Sequence, residues 1–360
     1  MNTQGLEARA ADTLKALLDQ VPLVKQTKIE LETSHPDRGI DIQAHVTVSN
    51  RQHLLVCEVK ANGQPRYVRP ALLQLRNYIS HLGGEATPIL IAPYLSPSAQ
   101  SLCRDQGISY VDLEGNARIA FNGVFIERIA QQRPSSSERR ELRSLFKPKS
   151  AQVLRAMLHD PTRAWRVAEL AEAAGVSLGH ASNVRNSLLD REWAKVSDKG
   201  LWLSDPDALL DAWRDAYDSA ADKRMTFYTA LHGKLIEQAS RQATLAAKAD
   251  GHAAFASFSA AQWLAPYGRN ATQYFYADEN GLKHLRAALN LSSTAKGENV
   301  VINIPKDDGI FRDTIEPVPG VVCTSAVQTY LDLSSAGERG QEAAAHLRQQ
   351  KLNWRASHNA

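Results

Sequence analysis

The spacing of apolar residues divides the first 130 residues into helices and strands. Apolar residues recur at helical spacing from Leu6 to Leu17, whereas the segments after them alternate apolar and polar positions as half-buried strands do. The pattern predicts, in order, a helix over 6–18, strands over 28–32, 40–48 and 53–60, a helix with the buried stripe Leu72, Leu75, Ile79 and Leu82, a strand over 87–92, a helix over 96–106 and a strand over 108–112. Helices interleaved with strands predict one mixed α/β domain over residues 1–130.

A second pattern covers residues 150–204. Apolar runs predict three helices followed by two short strands, over 151–158, 167–174, 178–191, 194–196 and 201–203. Gly175 and Ser177 supply a tight turn and a helix N-cap between the second and third helices. Asp198-Lys199-Gly200 is the turn of a hairpin between the two strands. This order of elements is typical of a winged helix-turn-helix domain, which we predict over 150–204.

Two other segments complete the chain. Residues 131–149 are rich in serine and arginine and include Pro134, so we predict a basic linker there. Two roles are open for this segment. It is either a solvated linker or a basic arm that contacts DNA phosphates. Residues 205–360 predict a C-terminal α/β domain that is helical from 205 to about 230. Its other predicted elements are helices over 281–289 and 337–352 and strands over 272–276 and 299–304. The predicted fold class is therefore a multidomain α/β protein.

Composition narrows the class of protein without naming a partner. The chain has 360 residues and a formal net charge of +3, so its global charge does not itself indicate nucleic acid. Cys57, Cys103 and Cys323 are scattered, which disfavours a disulfide framework or a zinc site. The first 18 residues carry charge throughout, and the longest apolar run, 88–95, is far too short to cross a bilayer. We expect a cytoplasmic protein that makes no use of a membrane.

Candidate chemistry lies on the predicted strands 40–48 and 53–60. Glu58 and Lys60 are two residues apart, so they project from the same face of their strand. Asp41 on the neighbouring strand adds a second carboxylate at the same edge. Two carboxylates beside a lysine suit a divalent cation and an activated water that attacks a phosphodiester. We interpret Asp41 and Glu58 as catalytic ligands of Mg2+ or Mn2+, and Lys60 as the residue that orients water or stabilises developing phosphorane charge.

This arrangement resembles the PD-(D/E)XK, restriction-endonuclease-like fold. Gln74 and Tyr78 lie four residues apart on the helix that follows the Glu-x-Lys strand, so they share one face. The resemblance implies that they line the site, as in some nuclease subfamilies. Asp37 is a rival first ligand in a predicted turn, and Glu7 is either an extra acidic ligand or surface charge. Such domains also persist as DNA-binding modules, in which case no cofactor is expected.

The third helix of the predicted winged helix is expected to lie in the major groove of double-stranded DNA. Its polar positions are candidates to reach bases or phosphates: Ser177, His180, Ser182, Asn183, Arg185 and Asn186. Asparagine can pair with adenine and arginine with guanine through two hydrogen bonds each. Arg163 and Arg166 before the second helix, and Lys195 and Lys199 on the hairpin, are expected to contact phosphates. The alternative is that this domain joins other domains or pairs subunits.

Two C-terminal stretches carry a family resemblance. Residues 323–333 read Cys-Thr-Ser-Ala-Val-Gln-Thr-Tyr-Leu-Asp-Leu, and residues 337–347 read Gly-Glu-Arg-Gly-Gln-Glu-Ala-Ala-Ala-His-Leu. Together they resemble the closing signature of AbiEi-family antitoxins, which are winged-helix transcriptional regulators of type IV toxin–antitoxin systems. Residues 110–117, Tyr-Val-Asp-Leu-Glu-Gly-Asn-Ala, resemble a subgroup with a nuclease-like N-terminal extension. The resemblance implies repression of a promoter by the winged helix, antitoxicity or dimer contacts in the C-terminal domain, and a cognate toxin as partner.

Three hypotheses of function follow. The first is a DNA-binding transcriptional regulator of the AbiEi type, for which a homodimer would suit palindromic half-sites. The alternative is a Mg2+-dependent endonuclease that the winged helix targets to DNA. The third is an interaction scaffold that binds no nucleic acid, which salt dependence of binding would distinguish from the other two.

Overall fold

The computed structural model describes residues 3–31, 40–82, 86–130, 136–268, 270–293 and 297–354, which form a mixed α/β protein. The chain divides into two compact units. The first comprises Met1–Glu141 with Leu189–Glu192, and the second comprises Leu142–Leu188 with Trp193–Ala360. Every helix of the described residues is too short or too polar to span a bilayer.

Strands and helices alternate in the first part of the chain. The elements up to residue 145 are α1 (Thr3–Leu18), β1 (Val24–Leu31), β2 (Ile42–Val48), β3 (Arg51–Val59), α2 (Pro65–His81), β4 (Ala86–Ala92), α3 (Pro97–Asp105), β5 (Ser109–Asp112), β6 (Ala117–Phe121), β7 (Val124–Arg128) and α4 (Ser136–Leu145). The seven strands form one sheet in chain order. β3, β4 and β5 are parallel and their other neighbours are antiparallel. α2 and α3 are the crossover helices that parallel neighbours require.

Apolar side chains cover both faces of this sheet. On one face, Leu6 and Leu14 of α1 pack against β2 and β3. On the other face, Leu72 and Leu75 of α2 pack beside α3 and β4. β3 is buried from Leu55 to Val59, as expected for a strand whose two faces are both covered. Glu58 therefore lies in an apolar strand end rather than at the surface.

The second part of the chain contains two further sheets. The elements after residue 147 are α5 (Pro148–His159), α6 (Val167–Ala174), α7 (Leu178–Asp190), β8 (Ala194–Ser197), β9 (Gly200–Leu203), α8 (Pro206–Asp215), β10 (Ala221–Phe227), α9 (Lys234–Ala246), β11 (Ala253–Phe255), α10 (Ser257–Leu264), β12 (Gln273–Ala277), α11 (Glu279–Ala288), β13 (Val300–Pro305), α12 (Ala326–Ser334) and α13 (Gly337–Lys351). β8 and β9 form an antiparallel pair. The other sheet has the order β10-β13-β12-β11, with β12 and β13 parallel.

Several segments differ from the sequence expectations, and α9, β11, α10 and α12 had no counterpart in them. The helix predicted over 205–230 ends at Asp215, and the following residues form β10, because they pair with the distant strand β13. The predicted linker contains α4, whose buried Leu142 and Leu145 stabilise it as an amphipathic helix. Pro134 and the rest of 131–135 lie outside the described residues. The hairpin of β6 and β7 had no counterpart in the prediction.

Candidate functional site

The adjacent ends of β2 and β3 bring Asp41, Glu58 and Lys60 together. Asp41 directly precedes β2, and its Oδ2 accepts a hydrogen bond from the Val59 amide at 2.6 Å. The Asp41 amide donates to the Cys57 carbonyl at 3.0 Å, so this residue is fixed to β3 on both sides of Glu58. Lys60 Nζ forms an ion pair with Glu58 Oε1. Asp37, the rival first ligand, lies outside the described residues.

Burial sets the electrostatics of this group. Glu58 is only 3% exposed, and its Oε2 is buried without a hydrogen-bond partner among the described residues. Burial raises the pKa of Glu58 to about 7, and the neighbouring charges of Asp41 and Glu7 add to that rise, while Lys60 opposes it. Burial also raises the pKa of Asp41, against the opposing effects of the Val59 amide and Lys60. The carboxylates therefore hold their charge at a free-energy cost.

Glu7 of α1 belongs to the same electrostatic group. Its side chain is half-buried, and its pKa is raised first by burial and then by Asp41. Glu7 therefore lies close enough to feel the charge of Asp41. Even so, no group of three or more His, Cys, Asp or Glu side chains in the described part of the chain is placed to hold a metal ion. The candidate metal ligands thus remain the two predicted carboxylates, Asp41 and Glu58.

A two-carboxylate set is compatible with Mg2+. Mg2+ keeps several waters and is commonly bound by one or two carboxylates together with substrate phosphates. The unpartnered Glu58 Oε2 fits this role, because a buried carboxylate oxygen without a donor is stabilised by a cation. A bound Mg2+ would neutralise phosphate charge and lower the pKa of a coordinated water. Lys60, beside Glu58, supplies a positive charge at the same edge of the sheet.

Gln74 and Tyr78, the two residues predicted on α2, have other surroundings in the structure. The Gln74 side chain is exposed. The hydroxyl of Tyr78 accepts a hydrogen bond from Gln43 Nε2 at 3.5 Å, and its ring packs beside the α2–α3 core. Within the described residues, neither side chain is hydrogen-bonded to Asp41, Glu58 or Lys60. Tyr78 thus also packs against the core, and the site-lining roles of Gln74 and Tyr78 both stay predictions.

The turn between α6 and α7 depends on a glycine. Gly175 has φ 63°, in the left-handed region, and ends α6 there. The Val176 amide donates to the Ala171 carbonyl at 2.9 Å, which satisfies the last turn of α6. Ser177 Oγ then accepts from the His180 amide at 3.2 Å and caps α7. The predicted glycine turn and serine cap therefore have the expected geometry.

Residues that precede α6 are hydrogen-bonded to the β8–β9 hairpin. The Trp165 amide donates to the Leu201 carbonyl at 2.7 Å, and the Leu201 amide donates back at 2.9 Å. A single bridge thus extends the two-stranded sheet beside the three helices α5, α6 and α7. Lys195 and Lys199 of the hairpin are exposed.

Most of the polar positions predicted on α7 are accessible. Ser177, Asn183 and Asn186 are exposed, and Ser182 and Arg185 are half-buried. Arg185 Nη1 donates to Asn186 Oδ1 at 3.2 Å, so these two side chains form one polar group.

His180 differs from the other predicted α7 positions. Its Nε2 lies 3.0 Å from Ser150 Oγ in α5. This hydrogen bond gives the half-buried imidazole a role in joining two helices.

The two predicted arginines before α6 have local partners. The guanidinium of Arg163 lies 3.6 Å from the centroid of the Trp165 ring, as a cation–π contact. The backbone amide of Arg166 donates to Glu169 Oε2 at 3.4 Å at the start of α6. Both side chains are exposed, so both guanidinium groups are available to solvent near the hairpin residue Leu201.

A buried polar network that the sequence did not predict lies around Asp332 in α12. Asp332 Oδ1 accepts hydrogen bonds from the hydroxyl of Tyr217 at 2.5 Å, the hydroxyl of Tyr276 at 3.1 Å and Gln328 Nε2 at 3.0 Å. Asp332 Oδ2 is buried and has no hydrogen-bond partner among the described residues. Burial raises the pKa of Asp332 to about 6. The spacing of Gln328 and Asp332, four residues apart in α12, was the only sequence signal for this network.

Arg155 of α5 connects this network to the helices before it. Its Nε donates to Asp313 Oδ1 at 3.1 Å, its Nη2 to the Gly309 carbonyl at 3.0 Å and its Nη1 to Gln328 Oε1 at 3.4 Å. Arg155 is buried, so these contacts are largely desolvated. Helix α5 is therefore fixed to α12 and to the segment before it by charge-assisted hydrogen bonds.

Comparison with known proteins finds a family similarity in the C-terminal part. Residues 202–353 match the family model described as a transcriptional regulator, AbiEi antitoxin, of the type IV TA system. Both motifs that carried the resemblance lie within these residues, so the predicted family resemblance is confirmed there. No curated protein matches the chain.

Solved structures give weaker likenesses. A repair endonuclease from Pyrococcus abyssi is 18% identical with a TM-score of 0.24, over 31% of this chain and 47% of that one. EndoMS in its apo form is 18% identical with a TM-score of 0.21, over 29% of this chain and 45% of that one. A complex of EndoMS with double-stranded DNA is 20% identical with a TM-score of 0.20, over 29% and 43%. The chain thus spans less than half the length of each, and TM-scores this low establish neither a shared fold nor a shared activity.

Proposed function

We propose that this chain is a DNA-binding transcriptional regulator of the AbiEi antitoxin type, in which residues 148–203 are a winged helix-turn-helix. The observation that carries the proposal is the capped helix α7. It presents a polar, accessible side in the same compact unit as the residues that match a transcriptional-regulator family. In this proposal α6 crosses the DNA backbone, α7 enters the major groove and the β8–β9 hairpin is the wing.

The side chains of α7 and its surroundings divide into two roles. Asn183 and the polar pair Arg185–Asn186 are proposed to read base edges, because asparagine and arginine form bidentate hydrogen bonds with adenine and guanine. Arg163, Arg166, Lys195 and Lys199 are exposed cations proposed to contact phosphates. His180 is left out of this set, because its ring is hydrogen-bonded to Ser150.

The partners follow from the same proposal. Double-stranded DNA is the primary partner. A homodimer would match a palindromic operator with its two-fold symmetry. A cognate toxin is proposed as a partner of the system on the strength of the antitoxin family that residues 202–353 match. We propose that the protein acts in the cytoplasm.

Binding to duplexes enriched from a random pool tests this function. Asn183→Ala and Arg185→Ala are each expected to weaken binding to the enriched site by about 1–3 kcal/mol and to relax the base preference. Asn77→Ala, an exposed asparagine on α2, is the matched control and is expected to bind as wild type does. Binding measured by fluorescence anisotropy should weaken steeply with salt. Enrichment of no duplex, or equal losses on every sequence, would contradict base reading by α7.

A second candidate function is favoured by one observation at the N-terminal site. Glu58 holds a buried, unpartnered oxygen next to Asp41 and Lys60. We propose on this basis that the first unit is a PD-(D/E)XK-type domain and that the protein is a Mg2+-dependent endonuclease. The order α1, three antiparallel strands, α2 and a parallel strand supports the fold. Asp41 and Glu58 would hold the cation, and Lys60 would orient the attacking water.

Nicking of supercoiled plasmid separates the two functions. An active endonuclease is expected to nick with Mg2+ or Mn2+ and not with EDTA, and Glu58→Ala is expected to abolish nicking while it retains DNA binding. Glu114→Ala is the matched control, because Glu114 is an exposed carboxylate of the same unit. Nicking that persists in Glu58→Ala would refute the endonuclease proposal. Salt-sensitive binding without nicking by wild type would leave a regulator with a nuclease-like domain.

A further inference from the structure

Leu178 is an apolar side chain displayed at the start of α7. It is 58% exposed, whereas the apolar residues on the inner side of this helix, Ala181, Val184 and Leu188, are buried in the core. The inner side is therefore already complete without Leu178.

The first turn of α7 is open at Gly179, next to Leu178. Ser177 caps the helix through the His180 amide, and a Cβ added at Gly179 would meet nothing within 4 Å. Leu178, Ser182 and Arg185 follow at i, i+4 and i+7, so they lie along one side of the helix. Leu178 therefore lies in line with Arg185, which is proposed to read a base edge, and at the helix end that reaches base edges in helix-turn-helix proteins.

Among the groups that base pairs present in the major groove, the thymine 5-methyl is the apolar one, and it is recognised by apolar side chains. Phosphates and the donor and acceptor groups of the bases gain nothing from a leucine. We propose that Leu178 contacts a thymine methyl and so determines a preference for a T·A pair at one position of the operator. This inference rests on the proposed function, because it requires α7 to lie in the major groove.

The test replaces each thymine of the enriched duplex in turn with deoxyuridine, which removes the methyl group alone. One replacement is expected to weaken wild-type binding about four-fold, the equivalent of one methyl group lost from an apolar contact. Leu178→Ala should bind the thymine duplex more weakly than wild type does and should be insensitive to that replacement. The matched control is Val196→Ala on β8, a second exposed apolar residue, which should keep the full sensitivity to deoxyuridine.

Two results would overturn the inference and leave the proposed function intact. One is a Leu178→Ala protein that loses as much affinity as wild type on deoxyuridine replacement, since the two changes would then act independently. The other is tight, specific binding by wild type that no deoxyuridine replacement weakens, in which case the exposed leucine serves another purpose, such as contact with a protein. If no duplex is bound specifically, the proposed function fails as well. Because Leu178 lies outside the core, the alanine variant is expected to fold as wild type does.

Discussion

Glu58→Gln should change the pH dependence of stability in a way that reports the cost of this buried carboxylate. Glutamine keeps the size of the side chain but has no charge to lose. In the native state burial raises the pKa of Glu58 from its ordinary value of 4.5 to about 7. A folded pKa above the unfolded pKa means that the native state binds its proton more tightly than the unfolded chain does.

The direction and size of the effect follow from this difference. Below about pH 4.5 the carboxyl is neutral in both states, and stability is unaffected. Between pH 4.5 and 7 the unfolded chain releases the proton while the native protein keeps it, so the stability of wild type falls as pH rises, and above pH 7 the loss is constant. At about 1.4 kcal/mol per pH unit, the total is about 3 kcal/mol. Relative to wild type, Glu58→Gln should therefore gain about 3 kcal/mol between pH 4.5 and pH 8.

Urea unfolding of the full-length protein at closely spaced pH values measures this gain. The useful quantity is the change with pH in the difference between variant and wild type, because any pH-independent packing penalty of the glutamine then cancels, while the effect of Lys60 is already contained in the pKa of Glu58. Glu114→Gln is the control, since its side chain is exposed and its difference from wild type should stay constant. A difference for Glu58→Gln that is equally constant across this range would refute the description of Glu58 as a buried, charge-costly residue.

Three further substitutions test the second unit. Gly175→Ala should destabilise the full-length protein by about 1–2 kcal/mol, as measured by urea unfolding. Alanine is strained in the left-handed region, and its Cβ would lie 2.4 Å from Arg312 Cζ. An unchanged stability would mean that the turn adopts another conformation. Arg155→Met should cost about 3 kcal/mol by leaving the half-buried Asp313 without its cation, and a loss below about 1 kcal/mol would refute a stabilising role for this ion pair. Burial raises the pKa of Asp332 to about 6, so wild type should lose stability as pH rises from about 4 to 6. Asp332→Asn should lack that loss, and a thermal melt that shifts equally for both proteins would contradict it.

The order of the first unit could be predicted from the sequence because its strands and helices carry distinct apolar periods. One exception is the β6–β7 hairpin, although its signal was present: Asn122 and Gly123 both have positive φ, 44° and 77°, as a tight two-residue hairpin turn requires. By contrast, β10 is mostly exposed, with no apolar alternation to mark it, and it is a strand because β13 pairs with it more than 70 residues later. Pairing of that kind is not encoded in a local pattern.

Part of the candidate acidic site could be predicted, because the strands that carry it have clear apolar patterns. Asp41 directly precedes β2 and Glu58 lies on β3, two neighbouring strands with strong apolar patterns, so their proximity followed from the pairing of β2 with β3. The influence of Glu7 did not follow, because it depends on how α1 packs against the sheet. Strand alternation placed Glu58 and Lys60 on one face, but it did not indicate that Glu58 would be almost wholly buried.

The C-terminal signature could be recognised in the sequence by its resemblance to a family. The contacts that its residues make could not be predicted. Gln328 and Asp332 of that signature contact Tyr217, Tyr276 and Arg155, which lie between 56 and 173 residues away along the chain. Until the residues that it contacts are known, such a motif indicates only similarity to a family.

In the structure the signature stabilises the position of the helices that precede it. Arg155 fixes α5, and Arg348 of α13 donates to Asp207 and Asp211 of α8 at 2.8 and 2.5 Å. α5 and α8 flank α6 and α7 along the chain, so Gln328 of the signature, which accepts from Arg155, and Arg348, which directly follows the signature, hold the proposed DNA-reading segment at both of its ends. Arg348→Met should therefore weaken DNA binding without removing any DNA contact. Stability and DNA affinity measured together on this variant test the prediction, and a loss of stability with full DNA affinity would contradict it.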